Sequence, residues 1–411
     1  MAEPAVRSGD PRPPLDGVLV LEYGVFHAGP GAGAILGDLG AEVLKIEDMT
    51  GDPERYWTKL GLLDIAMPNG ESAMFQFSNR NKRSVCLDIN SGKGRQIFER
   101  LVARTDVFLT NLRQSTKKKL AIDYEALHGL NPRMIHANVS GYGPEGPMSD
   151  LGAFDPLGLA RSGLMFVTGS EDPKLLHIGI LDQATAIAAS HAVMTALFVR
   201  ERSGMGQEVH VSLYSVGQWL TAANLTIHSL LGVDPIIPAN RTEHSPLRNR
   251  YRCKDGKWII CTHHPEEKYW PTFCEATGQT HLLSDLRFAD AKDRAANRAA
   301  LIEILDEMFA QRTSEEWMEV FVARGLMFCP VQQVGEIKND PQALANRYMV
   351  DFQDPTMGRL KIPGYPVHFS ENSVGTRSLA PSLGQHTIEV LRELRYSDQE
   401  IDDLKRDGVI R

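Results

Sequence analysis

The sequence predicts an α/β fold: a parallel sheet forming a large domain, followed by a smaller α+β domain. Three observations carry this. Short apolar, β-branched runs alternate with helical stretches over the first 140 residues; the 411-residue length exceeds one ordinary domain; and the texture changes near Leu225 to Pro-rich and Arg-rich segments. Val18 to Tyr23 (VLVLEY) reads as a strand, HAGPGAG as a Gly-rich turn, and AILGDLGAEVLKIE as helix followed by strand. SVCLDI, DVFLTN and RMIHANVSG continue as strands, separated by the helical stretches KGRQIFERLVART and YEALHGLN. Such alternation implies a parallel sheet covered on both faces. Beyond Leu225, YRCKDGKWIICT predicts a hairpin, and Ala295 to Phe309 and Ser314 to Arg324 predict helices. The chain closes on two short helices in HTIEVLRELRYSDQEIDDLKRDGVI, the second opened by a capping pattern from Ser397 to Glu400. The division expected is a flexible lead-in over 1–14, the first part of the large domain with a linker helix over 15–224, the small domain over 225–330, and a return linker with the rest of the large domain over 331–411.

Composition narrows the function classes. A hydrophobic content of 42% with 23% charged residues is that of a folded, soluble chain, and a formal charge of -8 argues against a general nucleic-acid surface. Small anions are the expected partners. Five cysteines without a CxxC pair support neither a disulfide framework nor a zinc ribbon, so a reducing, cytoplasmic setting is expected. Residues 1–14 lack an apolar signal core, and no apolar run reaches membrane length.

Asp182 is the only charge in ILDQATAIAASHAVMTALF, a small-residue apolar stretch that reads as a buried helix. One explanation is capping, since an aspartate before a helix accepts from its first free N–H groups. The other is nucleophilic catalysis, because a carboxylate ionised at neutral pH attacks a carbonyl without a separate base.

Other motifs carry less. Gly29 to Gly33, with Glu47 ending the second strand, invites a dinucleotide reading, but Pro30 removes an N–H from the turn that would face a pyrophosphate. Small residues there serve equally to let a helix pack on a sheet. Basic residues Arg80, Lys82, Arg83 and Lys117 to Lys119 flank strand ends, where ligands of open α/β sheets gather, so Asn111 and Lys119 could meet a phosphate. His263, His264, Cys253 and Cys261 lack a tetrahedral ligand spacing, and no metal is expected. His136 and His191 read as packed residues. No G-x-S-x-G elbow supports a serine hydrolase.

Taken in order, LDGVLVLEYG, AGPGAGAILGDLGAEVLKIE, NRNKRSVCLDI, LNPRMIHANVSGYG, FDPLGLARSG, LDQATA, RSGMGQEVHVSLY, CPVQQVGEIKNDPQALANRYMV and LGQHTIEVL resemble the family III CoA transferases over nearly the whole chain. The resemblance implies a Rossmann-like large domain, a small domain reached by long linkers, and two subunits interlocked like rings, as a homodimer or a heteromer with a related subunit. It implies acyl-CoA and a free carboxylic acid as substrates, with coenzyme A entering and leaving as substrate and no permanently bound cofactor. Asp182 matches the nucleophilic aspartate. His27 and Ala28 match the CoA-contact loop after the first strand, Leu87 an adenine-side contact, and Asn111, Leu112 and Lys119 the pantetheine and phosphate side. Asp48 and Asn90 depart from positions where many members carry CoA-binding groups, which turns attention to Arg83, with Arg80 and Lys82, for the phosphates. The Gly-rich loop that shields the reactive anhydride in some members is absent, and ANRTEHSPLRNRY stands in its region.

Racemases of the same family place a histidine before the aspartate of FDPLGLARSG. This chain has Phe154, which cannot exchange a proton, so a transferase is favoured over a racemase or epimerase. The active subunit of a heteromeric, benzylsuccinate-type transferase is a further reading. For substrates, kinship suggests a succinyl-CoA-type donor and a bulkier, aryl-bearing acceptor acid. Arg241, Arg248 and Arg250 with His244 could meet a distal carboxylate or simply form a polar loop.

Overall fold

The computed structural model describes residues 12–411 except 168, 170, 171, 177, 236, 237 and 356. The chain divides into two compact units, one from Met1–Met165, Lys174–Pro235 and Ala345–Arg411, the other from Phe166–Pro173 and Ile236–Leu344.

The first unit is built on a six-stranded sheet. Its strands are β1 (Leu19–Glu22), β2 (Glu42–Glu47), β3 (Lys82–Cys86), β4 (Val107–Thr110), β5 (Ile135–Ser140) and β6 (Glu208–Ser212). They lie in the order β3-β2-β1-β4-β5-β6, and every pairing is parallel. The helices are α1 (Ala28–Asp38), α2 (Ala73–Asn79), α3 (Gly92–Val102), α4 (Gln114–Lys119), α5 (Tyr124–His128), α6 (Asp155–Arg161), α7 (Ile180–Ser203), α8 (Leu213–Leu220) and α9 (Ala222–Leu231), with two more at Thr387–Glu393 and Asp398–Arg406. Alternate strand residues serve opposite faces, as the pleat demands. Val20, Val43, Val107 and Leu109 pack with α1 and α7, while Leu21, Leu44, Ile46 and Phe108 pack with α3 and the two C-terminal helices. The strand order reverses direction between β1 and β4, so the loops after those two strands frame the crevice where ligands of such sheets bind.

Three local expectations change. The Gly-rich segment is the first two turns of α1 and not a turn, and all of α1 is buried. Its glycines allow close approach: a Cβ on Gly31 would come 3.0 Å from Ala186 Cβ, and one on Gly33 would come 2.0 Å from Glu22 Oε2. The strand expected over SVCLDI runs two residues earlier, and the helix expected over Ala295 to Phe309 breaks at Asn297 into Ala291–Ala296 and Arg298–Phe309.

Beneath α1 lies a buried charge network. Lys82 Nζ donates to Glu22 Oε2 at 2.7 Å, Pro30 O at 2.7 Å and Asn79 Oδ1 at 2.9 Å, while Lys45 pairs with Glu22 at 3.1 Å and Asp52 at 2.9 Å. Arg55 and Ser84 hold Glu47, whose carboxyl is drawn down to about 2, with burial opposing and Arg55 and Lys45 prevailing. Glu47 is therefore committed and offers nothing to a nucleotide ribose.

In the second unit, Arg250–Arg252, Trp258–Cys261 and Phe328–Val331 form an antiparallel sheet that contains the expected hairpin. Phe273, Phe309, Trp317 and Phe321 stack over it as an aromatic core. Arg241 pairs with Asp306, and Arg248 and Arg250 are exposed. No described helix is long and apolar enough to cross a membrane, and no group of His, Cys, Asp and Glu suited to a metal occurs among the described residues.

Candidate active site

Helix α7 begins at Gly179, whose left-handed φ of 60° suits a residue without a side chain. Leu181, Thr185, Ala186, Ala189 and Val193 bury one stripe of the helix against the sheet. The free N–H groups of the first turn are capped, but not by Asp182. Asp155, the first residue of α6, accepts from Leu181 N at 2.7 Å and Asp182 N at 3.0 Å through one carboxylate oxygen. The Asp182 carboxylate itself forms no hydrogen bond or ion pair with the described residues. Burial first, and the Asp155 charge second, push its carboxyl up to about 7. It is thus about half protonated at neutral pH, where the sequence suggested full ionisation.

Two cavities in this unit meet at Asp182. Both are lined by Phe26, His27, Phe154 and Asp182. The first, about 610 Å³, is walled by Pro53, Tyr56, Trp57, Leu60, Met74, Leu175, Leu176 and Ile178, with Glu54 and Asp155 as its further carboxyl groups. Phe26 packs edge-on against Phe154 at 5.1 Å and Trp57 at 6.5 Å between ring centres. The second, about 560 Å³, is more polar: Asn111, Arg113, Gln114, Lys117, Asn138, Ser140 and His210 contribute to it, alongside Ala28 and Leu112. Phe26 and Ile178, which line the first cavity with Asp182, both adopt positive φ near 60°, strained for non-glycine residues.

The loops after β1 and β4 are stitched together by Asn111. Its Oδ1 accepts from Val25 N at 2.9 Å, and its Nδ2 donates to Val25 O at 2.7 Å. A Cβ on Gly29 would lie 3.0 Å from Asn111 Cβ, so this glycine makes room for the neighbouring loop. His27 immediately precedes α1 and ties its start to α7 and α2, with Nε2 2.8 Å from Gln183 Oε1 and Nδ1 2.8 Å from Ser78 Oγ. The Gln183 oxygen accepts from Nε2–H, which leaves Nδ1 to accept from the serine. Burial lowers the imidazole to about 4, so it is neutral.

Asp182 thus lies between an apolar chamber and a polar one, near the switch point of the parallel sheet. The model of CoA-transferase family III matches residues 15–387. This chain belongs to the family III CoA-transferases. It is 32% identical over 409 residues to the succinyl-CoA:glutarate CoA-transferase of Mus musculus, across 98% of this chain and 91% of that one. It is 31% identical over 404 residues to the cinnamoyl-CoA:phenyllactate CoA-transferase of Clostridium sporogenes, across 96% of each. The crystal structure of a CaiB/BaiF family protein from Brucella suis is similar with a TM-score of 0.83 at 29% identity, covering 93% of this chain and 100% of that one.

As a family III CoA-transferase, the protein moves CoA between an acyl-CoA and a free carboxylic acid. The structure gathers Asp182, His27, Ala28, Asn111 and Leu112 around the polar cavity. It does not bring Arg83, Leu87 or Lys119 there. Arg83, on the edge strand β3, is engaged by Glu42, Glu389 and Glu393. The Leu87 side chain is buried in the core. Lys119 is exposed, and Lys117, two residues earlier on α4, lines the cavity and donates to Asn138. Arg80 is likewise spent on Asp38, and Lys82 on Glu22. His136 is buried as expected, but His191 is exposed on α7. Residues not found by sequence reasoning are Glu54, Gln183 and Arg113, whereas Lys117 belonged to the basic run from which Lys119 was the residue picked out. Only Gln183 had a signal, its place beside Asp182 in LDQ.

Proposed function

We propose that the transferase works through a covalent aspartyl-CoA thioester on Asp182, and the observation that carries this is its unpartnered carboxylate at the junction of the two cavities. An Asp182 oxygen attacks the donor's thioester carbonyl; the C–S bond breaks and CoA leaves as thiolate, giving a mixed anhydride. The thiolate then attacks the aspartyl carbonyl, the donor acid leaves as carboxylate, and the aspartyl-CoA thioester remains. The acceptor carboxylate reverses these steps. The polar cavity, with Asn111, Arg113 and Lys117, is the side proposed for the CoA arm. The apolar chamber is the side proposed for the acyl group, and its lining supports water exclusion around the anhydride.

The names of relatives support a succinyl-CoA-type donor, and the aromatic walls of the chamber support a bulkier, aryl-bearing acceptor. The racemase reading loses further ground. His27, which lines both cavities with Asp182, has both ring nitrogens engaged and is held neutral. We retain the interlocked dimer as part of the proposal. Helix α9 buries none of its residues, and Trp219, Leu220, Leu230 and Leu231 on α8 and α9 are exposed, which supports a partner subunit covering them.

The test is transfer itself. Succinyl-CoA incubated with a panel of aryl and aliphatic acids is expected to yield new acyl-CoA and free succinate in equal amounts, whereas α-proton exchange without transfer would contradict the proposal. The reacting form is the carboxylate, so kcat/KM should fall about tenfold per unit as pH drops below about 7. Asp155→Asn removes the neighbouring charge, which should lower the Asp182 value and move that limb to lower pH. A flat profile from pH 5 to 8 in both proteins would contradict this assignment.

A further inference from the structure

Among the described residues, four line both cavities at once: Asp182, His27, Phe26 and Phe154. The His27 ring is fixed by Gln183 and Ser78. The two phenyl rings are therefore the apolar part of the boundary between the cavities. They meet edge to face, with centres 5.1 Å apart and planes at 87°, an arrangement that aromatic pairs favour. Phe154 directly precedes Asp155, whose carboxylate accepts from Asp182 N at 3.0 Å, which keeps this ring beside the start of α7. Phe26 is clamped. Its φ of 59° is unfavourable for a residue with a side chain, and such backbone persists where the surroundings over-determine it. Three hydrogen bonds do so: Val25 N donates to Asn111 Oδ1, Asn111 Nδ2 donates to Val25 O, and Phe26 N donates to Asp52 Oδ1 at 3.1 Å. Trp57 backs the ring at 6.5 Å. Neither ring belongs to the hydrophobic cores of this unit, and Phe154 is 57% exposed, so core packing does not explain why the two are held here.

A covalent route presents two electrophiles to water. Water adding to the donor carbonyl of the anhydride breaks its C–O bond to Asp182, releases the donor acid and strands CoA. Water adding to the aspartyl carbonyl of the thioester breaks the C–S bond, and CoA leaves. Either way Asp182 returns as carboxylate, one acyl-CoA and one water become one acid and one CoA thiol, and one proton passes to solvent. Transfer releases no net thiol. The polar cavity, with Asn111, Arg113, Gln114 and Lys117, offers water the hydrogen-bond partners it needs, whereas the lining of the chamber is mostly apolar. We infer that Phe26 and Phe154 form a barrier that keeps water of the polar cavity from both intermediates, and so set their partition between acceptor acid and water. This rests on the CoA-transfer reading above.

The test uses the full-length enzyme with succinyl-CoA and isotopically labelled succinate, which needs no separate acceptor. It reads free CoA thiol released, corrected for hydrolysis without enzyme, per label exchanged into succinyl-CoA. Both products arise from the same intermediates, so an unfolded fraction cancels from this ratio, and a merely structural role would leave it unmoved. Phe154→Ala is expected to raise the ratio by about tenfold or more, while Phe154→Leu, which keeps an apolar cover, stays within about twofold of the native value. Phe26→Gly removes the other ring at a position whose φ suits glycine, and should act as Phe154→Ala does. A ratio that stays near native in Phe154→Ala and Phe26→Gly, or that rises as far in Phe154→Leu, overturns the barrier. Native exchange alongside an unmoved ratio in the variants concerns the barrier alone; a native enzyme that exchanges no label and forms no CoA adduct on Asp182 removes the transfer route and this inference with it.

Discussion

Asp182→Ala is expected to lower CoA transfer by at least about a thousandfold, since no other described group at the junction of the cavities can form the thioester. Loss of activity alone does not separate chemistry from folding, and the ionisation of Asp182 supplies the control. In the folded protein the carboxyl is held near 7 against an ordinary value of 3.8, so keeping it ionised costs stability. The sign is definite: the folded state binds the extra proton between these values, and the penalty grows as pH rises from about 4 to 7. Asp182→Asn removes the charge with little change of shape, so it should stabilise the fold at pH 8 by roughly 2 kcal/mol and hardly at all at pH 4. Thermal unfolding at the two pH values checks this. A variant less stable than the native chain at pH 8 would mean that the carboxylate is structurally satisfied, and the nucleophile reading would fall.

Lys82→Met has the largest expected effect on the fold. Lys82 and Glu22 are fully buried, and the ammonium has three separate acceptors in Glu22, Asn79 and Pro30. Removing it leaves Glu22 with Lys45 as its remaining cation and strands two acceptors, a loss on the order of 3–5 kcal/mol. Urea denaturation at pH 7 measures it. A change below about 1 kcal/mol would show that the network is not the closed unit described here. The folded fraction should keep its KM for acyl-CoA, whereas a rise in KM would restore Lys82 as a phosphate ligand.

Lys82 also shows where the sequence is silent. The alternation of strands and helices made the sheet legible, because burial on both faces writes apolar runs into the chain. The hairpin near Tyr251 and the capped helix after Ser397 were legible for the same local reasons. SNRNKRS, by contrast, reads as a basic surface run. Its charges point to Asp38, Glu22 and Glu42, which are 42, 60 and 41 residues away, and no local pattern announces such pairings. Glu54 is hidden in the same way: PERYW reads as an exposed polar turn until Asp52 caps it and folds it inward. Asp182 was visible as a charge in an apolar helix. The residue that relieves it of capping, Asp155, belongs to a helix 27 residues earlier, so only the three-dimensional arrangement separates the cap from the nucleophile.

Peptide mass spectrometry after incubation with acyl-CoA, with and without borohydride, examines the covalent step itself. The predicted result is a CoA-sized adduct on the peptide containing Asp182, replaced after borohydride by the reduced side chain at that position. An adduct on Glu54 or Asp155, or turnover with no adduct on any carboxylate, would contradict the route through Asp182.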